Sequence, residues 1–184
     1  MRRIAMGAAI ASLRVQQLGG PQAGKSVKLV ELRSGRGADD PFDEQARRVV
    51  VVCAEEATLG ASLAEARRFS GALCDADLLV VPLVTADATG AVATPSPALI
   101  RGEDDAPAVA HVALPQDLAT WQTVLADERA TAASQDANIA QRGFTLILKK
   151  NGRVGTRRLG LPDWQSLAGD VASRAAAGLD VKNI

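Results

Sequence analysis

Two apolar, β-branched runs fix most of what this chain can fold into. RVVVVCA spans residues 48–54 and DLLVVPLV spans residues 77–84. Neither alternates with polar residues, so each has to be covered on both faces, as the strands of a parallel sheet are. Between them Leu59, Leu63, Ala66 and Leu73 recur near one helical face, with Phe69 beside it. Thr58 or a neighbour can cap that helix, and Arg67 and Arg68 fall toward solvent. The three segments make one βαβ unit, whose crossover is right-handed. Pro82 has no N–H to give a ladder and is expected at the end of its strand or at a sheet edge.

Residues 85–115 carry no clear period and are rich in Pro, Gly and Ala. They read as a long loop, with a short strand near Val109–Ala113. Leu118, Trp121, Leu125 and Ala132 then recur at helical spacing, with Pro115 ahead and Asp117 as cap. In GFTLILKKNGRVGTRRLGLPDW, residues 143–164, Phe144, Leu146 and Leu148 alternate with Thr145, Ile147 and Lys149. Asn151-Gly152 predicts a two-residue hairpin turn with positive φ. Asp163 can cap a last helix that carries Trp164, Leu167 and Val171. The order β-α-β, long loop, α-β-β-α is that of a thioredoxin-like α/β sandwich, and another small α/β sandwich shares it. VKLVELR, residues 27–33, offers an extra strand. Residues 27–184 are thus expected as one thioredoxin-like domain behind an N-terminal arm, residues 1–26. That arm opens MRRIAMGAAIASL, which resembles a targeting segment as much as an ordinary arm. No apolar run reaches the ~20 residues that a membrane helix needs.

Charge and reactive residues narrow the function. The chain has 21 basic and 21 acidic residues, so its net charge gives no hint of nucleic acid. A thiol-exchange site needs a low-pKa thiolate at a helix N-terminus beside a second cysteine. Cys53 falls inside the first strand and Cys74 at the far end of the helix, with no C-x-x-C and no zinc spacing. Both read as small packing residues. His111 is the lone histidine, which leaves no histidine cluster for a metal and no Ser/His/Asp set. LGGPQAGKSVKL, residues 18–29, does match a phosphate loop in full, through Gly19, Gly24, Lys25 and Ser26. A working loop follows a buried strand and opens a helix. Here LRVQQL is short and polar, VKLVELR reads as a strand, and neither Glu55 nor Asp87 is a convincing acid for magnesium. A Gly-rich turn is the expectation. The competing reading is a small nucleotide-binding protein, with Lys25 on the phosphates and Ser26 on the magnesium.

The hairpin is the one charged feature. Arg142, Lys149, Lys150, Arg153, Arg157 and Arg158 follow one another with no acid between Asp136 and Asp163. Such a ribbon is either a solvated edge guarded by its cations or a dock for an acidic protein surface or anionic lipid headgroups. It lacks interleaved aromatics, so nucleic acid is not an expected partner.

LKKNGRVGTRRLGLPDW, preceded by the Trp-bearing ATWQTVLADERA, resembles the C-terminal soluble region of the Low PSII Accumulation family. These are photosystem II assembly and repair factors of plants and green algae. Its most specific part is Gly152-Arg153-Val154, then Arg157, Gly160, Pro162, Asp163 and Trp164. The resemblance runs back through DLLVVPLV and RRVVVVCAEEATLGASLAEARRF to about Leu13. Members of the family carry tetratricopeptide repeats and a pair of transmembrane helices before this region, and neither precedes it here. The resemblance implies the stromal side of the chloroplast thylakoid membrane. It implies a non-catalytic role on the photosystem II reaction-centre core or an assembly intermediate, and an incidental match at Gly19–Ser26. Lys149, Lys150, Arg153, Arg157, Arg158 and Trp164 are the expected contact, with anionic thylakoid lipid headgroups as a further partner. No cofactor, metal or small-molecule substrate is expected. A thiol oxidoreductase working through Cys53 is the other alternative.

Overall fold

The computed structural model describes residues 2–18, 23–33, 47–85, 91–101 and 111–179. In chain order its elements are α1 (Arg2–Ala11), β1 (Arg14–Gln17), β2 (Ser26–Lys28), α2 (Leu29–Arg33), β3 (Arg48–Ala54), α3 (Glu56–Arg68), α4 (Ser70–Asp75), β4 (Leu78–Thr85) and β5 (Val92–Ala93). Then follow α5 (Pro97–Arg101), β6 (Ala113–Pro115), α6 (Leu118–Gln135), α7 (Ile139–Arg142), β7 (Phe144–Leu148), β8 (Val154–Leu159) and α8 (Trp164–Ala176).

The main sheet has the order β5-β4-β3-β7-β8. β4 runs parallel to β3, whereas β7 is antiparallel to β3 and β8 antiparallel to β7. A βαβ unit beside a ββα unit, with one reversed strand between the parallel ones, is the thioredoxin-like fold. All seven residues of β3 are buried. Val49, Val51 and Cys53 enter one core with Trp121 and Leu125 of α6, while Val50, Val52 and Ala54 enter the other with Leu59, Leu63 and Trp164. Each layer is anchored by one fully buried tryptophan whose indole N–H is satisfied. Trp121 donates to the Arg14 carbonyl at 3.1 Å, and Trp164 to Ser62 Oγ at 2.9 Å.

Several expectations need correction. Residues 2–18 are not an arm: Ile10, Leu13 and Val15 are buried in the same core as Trp121 and Val49, and β1 is the centre of a second sheet, β2-β1-β6. Within VKLVELR only the first residues are extended, and Leu29–Arg33 turns into the short α2. Pro82 stands inside β4 and pairs with Val52. Val80 donates its N–H away from β3, to the His111 carbonyl at 2.7 Å. Successive strand amides alternate in direction, so the nitrogen of Pro82 also faces away from β3. It sits between the Val80–Val112 bridge and the Val84–Ala93 pair, where no ladder bond is lost. The stretch 85–115 holds β5, α5 and β6; of the strand expected at Val109–Ala113, Val109 and Ala110 lie outside the described residues, and β6 spans Ala113–Pro115.

The hairpin turn is longer than Asn-Gly alone. Lys149 N–H bonds the Arg153 carbonyl and Gly152 N–H the Lys149 carbonyl. Only Gly152 has positive φ, at 80°, whereas a two-residue type I′ turn needs it at Asn151 as well. A further glycine is required by contact: a Cβ on Gly7 of α1 would run into the Gly152 carbonyl oxygen.

Leu13→Ala tests whether the N-terminal segment belongs to the core. It should cost about 2–5 kcal/mol, the range for a truncated core leucine. Ile4→Ala, at a side chain 55% exposed, should cost under about 0.5 kcal/mol. Urea denaturation of both variants checks the contrast, and equal effects would detach α1 and β1 from the fold.

Candidate functional site

The cations of the β7–β8 hairpin divide into two groups. Lys150, in the turn, is buried, and its ammonium donates to Asp77 Oδ2 at 2.6 Å. Asp77 closes the turn between α4 and β4 with φ of 54°, and its carbonyl accepts the Arg48 N–H. Lys150 thus ties the hairpin tip to the start of the two central strands. Arg157 folds back onto α6 and forks onto Glu128, with Nη2 to Oε1 at 2.9 Å and Nε to Oε2. Glu128 is only 6% exposed, so this pair is largely desolvated and neither charge can be removed alone without a large penalty. Arg142 pairs with Asp136 at 2.7 Å at the end of α7.

Arg153 and Arg158 make up the second group and are exposed. Arg158 stands near Asp163, the α8 cap. The Ser166 backbone N–H, bonded at 2.9 Å, holds the Asp163 carboxyl below its ordinary range, with the nearby Arg158 adding slightly. Lys149 lays its stem over Gly155. Trp164 is fully buried, so the expectation that it touches a partner does not stand. Its ring belongs to the α3–α8 packing. Of the six expected contact residues, Lys150, Arg157 and Trp164 hold the fold together, and Arg153 and Arg158 face solvent. Glu128 was missed in the sequence. Its signal was there: it falls on the Trp121, Leu125 and Ala132 stripe of α6, where a carboxylate needs a cation beside it.

The phosphate-loop match takes another form. Gly19 lies outside the described residues. Gly24 has φ of 78° and opens toward solvent in the turn joining β1 to β2. Ser26 begins a strand paired with Gln16 of β1, and its hydroxyl accepts from Arg14 Nε at 3.1 Å. Lys25 is exposed. A strand sends its amides sideways into a ladder, so those after Lys25 do not converge on an anion as the first turn of a helix does. The residues match the pattern and the backbone does not.

The two thiols lie on opposite sides of the main sheet. Cys53 packs in the α6 layer, where burial pushes its thiol up to about 12. Cys74 is exposed on α4, which packs in the other layer through Leu73, and partial burial raises its thiol too. The N-terminal turn of α3 carries Glu55, Glu56, Ala57 and Thr58 instead. His111 is 1% exposed at the seam of the two sheets. Its Nδ1 lies 3.2 Å from Ser70 Oγ, and among the described residues its Nε2 has no hydrogen-bond partner. Among the described residues no group of three or more His, Cys, Asp and Glu could hold a metal ion, and no helix is long and apolar enough to cross a membrane.

No protein-family model matches the chain, and no curated protein is similar to it. Solved structures are similar at low identity. MTB DsbF in its mixed oxidized and reduced forms is 14% identical, with a TM-score of 0.47 over 90% of this chain and 96% of that one. A 2-Cys peroxiredoxin from Plasmodium vivax in its reduced form is 9% identical, with a TM-score of 0.48 over 90% of this chain and 80% of that one. A putative electron transfer protein from Aquifex aeolicus VF5 is 10% identical, with a TM-score of 0.44 over 91% and 95%.

Burial pushes the His111 imidazole down from an ordinary 6.5 to about 4. The unfolded chain therefore binds a proton that the fold refuses, and this histidine's contribution is complete above pH 6.5 and is lost as pH falls toward 4. Across that window the wild type should lose ~3 kcal/mol more than His111→Gln, and equal acid slopes in urea titrations would refute the burial argument.

Proposed function

We propose that this chain is a non-catalytic binding module of photosystem II assembly and repair, acting on the reaction-centre core or an assembly intermediate at the stromal face of the thylakoid membrane. The resemblance of residues 143–164 to the Low PSII Accumulation family supports the setting. The observation that carries the non-catalytic reading is the first turn of α3. Thiol exchange in this fold needs its nucleophile there, in the positive end of the helix dipole. That turn holds Glu55, Glu56, Ala57 and Thr58, and both cysteine thiols stand elsewhere. Carboxylates use the dipole for helix stability and leave no nucleophile for exchange.

The contact in this reading is the solvent-facing part of the hairpin, Arg153 and Arg158, with Lys149 beside them. Lys150 and Arg157 act indirectly, by fixing the ribbon that presents these side chains. Anionic lipid headgroups at the membrane surface would meet the same charges.

The distinction sets the test. Reversing Lys150 or Arg157 would damage the fold along with the charge, so the informative variant is Arg153→Glu with Arg158→Glu. Its thermal unfolding should match the wild type. Its co-purification with photosystem II core particles from solubilised thylakoids should fall about tenfold, as loss and reversal of two rim charges predicts. Undiminished co-purification would remove the ribbon from the contact. Recovery of wild-type chain with no photosystem II subunit would overturn the reading itself.

A further inference from the structure

We infer that the outer edge of β8 takes an extended acidic segment of a partner protein, adding one strand to the main sheet. β8 ends that sheet, and among the described residues no strand pairs with its outer side. The Gly160 N–H donates to the Gly143 carbonyl at 2.8 Å, which fixes the direction of the ladder. Alternation then sends the Arg158 amide toward β7 and the amides of Arg157 and Leu159 outward. An open row of donors and acceptors is a template for another strand.

Edge strands are normally blunted by charges that project past them. Of the two arginines of β8, Arg157 has its guanidinium folded back onto Glu128, and Arg158 stays exposed on the opposite face. α1 packs against β8 near the hairpin turn, and among the described residues no hydrogen bond reaches the outward amides of Arg157 and Leu159. Beside them, on the α6 face, lies a groove of about 160 Å³ between α6 and the hairpin, lined by Ala132, Phe144, Leu146 and Leu159 together with the polar Thr131 and Gln135. The carboxylate in that groove, Glu128, is already neutralised by Arg157. Side chains of an added strand alternate between faces. On the α6 side they meet the apolar wall, and on the opposite side they pass Arg158, with Arg153 at the hairpin end. The recognised chemistry is therefore an extended segment alternating apolar and acidic residues. A second copy of this chain fits poorly, because antiparallel pairing of two β8 strands sets arginines against arginines.

The inference rests on the reading as a binding module but not on which complex is bound. The probe is an acetylated ten-residue peptide alternating Val and Asp, titrated onto the full chain. Two controls accompany it, one with Lys for Asp and one N-methylated at alternate residues with its charge retained. Each control should bind at least about tenfold more weakly. Bound peptide should slow amide exchange at Arg157 and Leu159 about tenfold or more while leaving Arg158 unchanged. Arg153→Glu with Arg158→Glu, folded as the wild type, should weaken binding by a similar factor. Equal binding of the N-methylated peptide would reduce the site to charge attraction and overturn strand addition. Slow exchange of both amides in a concentration-dependent dimer, without peptide, would assign the edge to a second copy instead. Photosystem II retention with no peptide binding would sink the edge and leave the module. Peptide binding without photosystem II would sink that partner and leave the edge.

Discussion

The double-sided burial of β3 is the constraint on which the rest depends. Each of its residues is buried, and they divide by parity into two separate cores. A strand of this kind cannot sit at an edge or face water, so β4 and β7 must flank it and helices must cover both faces. β4 can satisfy this as a parallel neighbour because α3 and α4 provide the crossover. β7 can do so as an antiparallel neighbour because the chain has already returned through α6. The helices then have little freedom: α3 and α8 share one layer around Trp164, and α1 and α6 share the other around Trp121.

Once that sheet is set, the hairpin charges acquire meaning from their distances, and two of them turn inward. Lys150 reaches the turn that starts β4, and Arg157 reaches the middle of α6. The first holds the tip of the ribbon and the second holds its outer strand to the helix layer. Burying such pairs adds little net stability, but losing one partner is costly, so they serve mainly to fix where the ribbon lies. The inward turn of Arg157 at the edge of β8 is part of that arrangement.

The fold was legible because its signals are one-dimensional. A continuous β-branched run, a period of 3.6 and a cap such as Asp163 need no knowledge of distant residues. The site was legible only in part, because charge in a sequence has no partner. The six hairpin cations looked alike as a run, and only the paired acids at Asp77, Glu128 and Asp136, as far away as 73 residues, separate structural cations from exposed ones. Trp164 misled for a similar reason: a motif residue beside a charged stretch looks like a contact until α3 packs over it. The N-terminal segment was underrated because Ile10, Leu13 and Val15 lie too close to a helix–strand break to show either period.

The absence of a thiol at the α3 N-terminus is also more than a missing cysteine. Glu55 and Glu56 stand where the helix dipole is most positive, and Thr58 donates its hydroxyl to Glu55. A thiolate placed among these carboxylates would face their repulsion instead of the favourable field that lowers a cysteine pKa. One turn on, a Cβ at Gly60 would come within 2.9 Å of Leu99 Cδ1 in α5, a terminal methyl that can shift to admit it. The field of the dipole suits carboxylates at the helix start and gives a thiolate no advantage there.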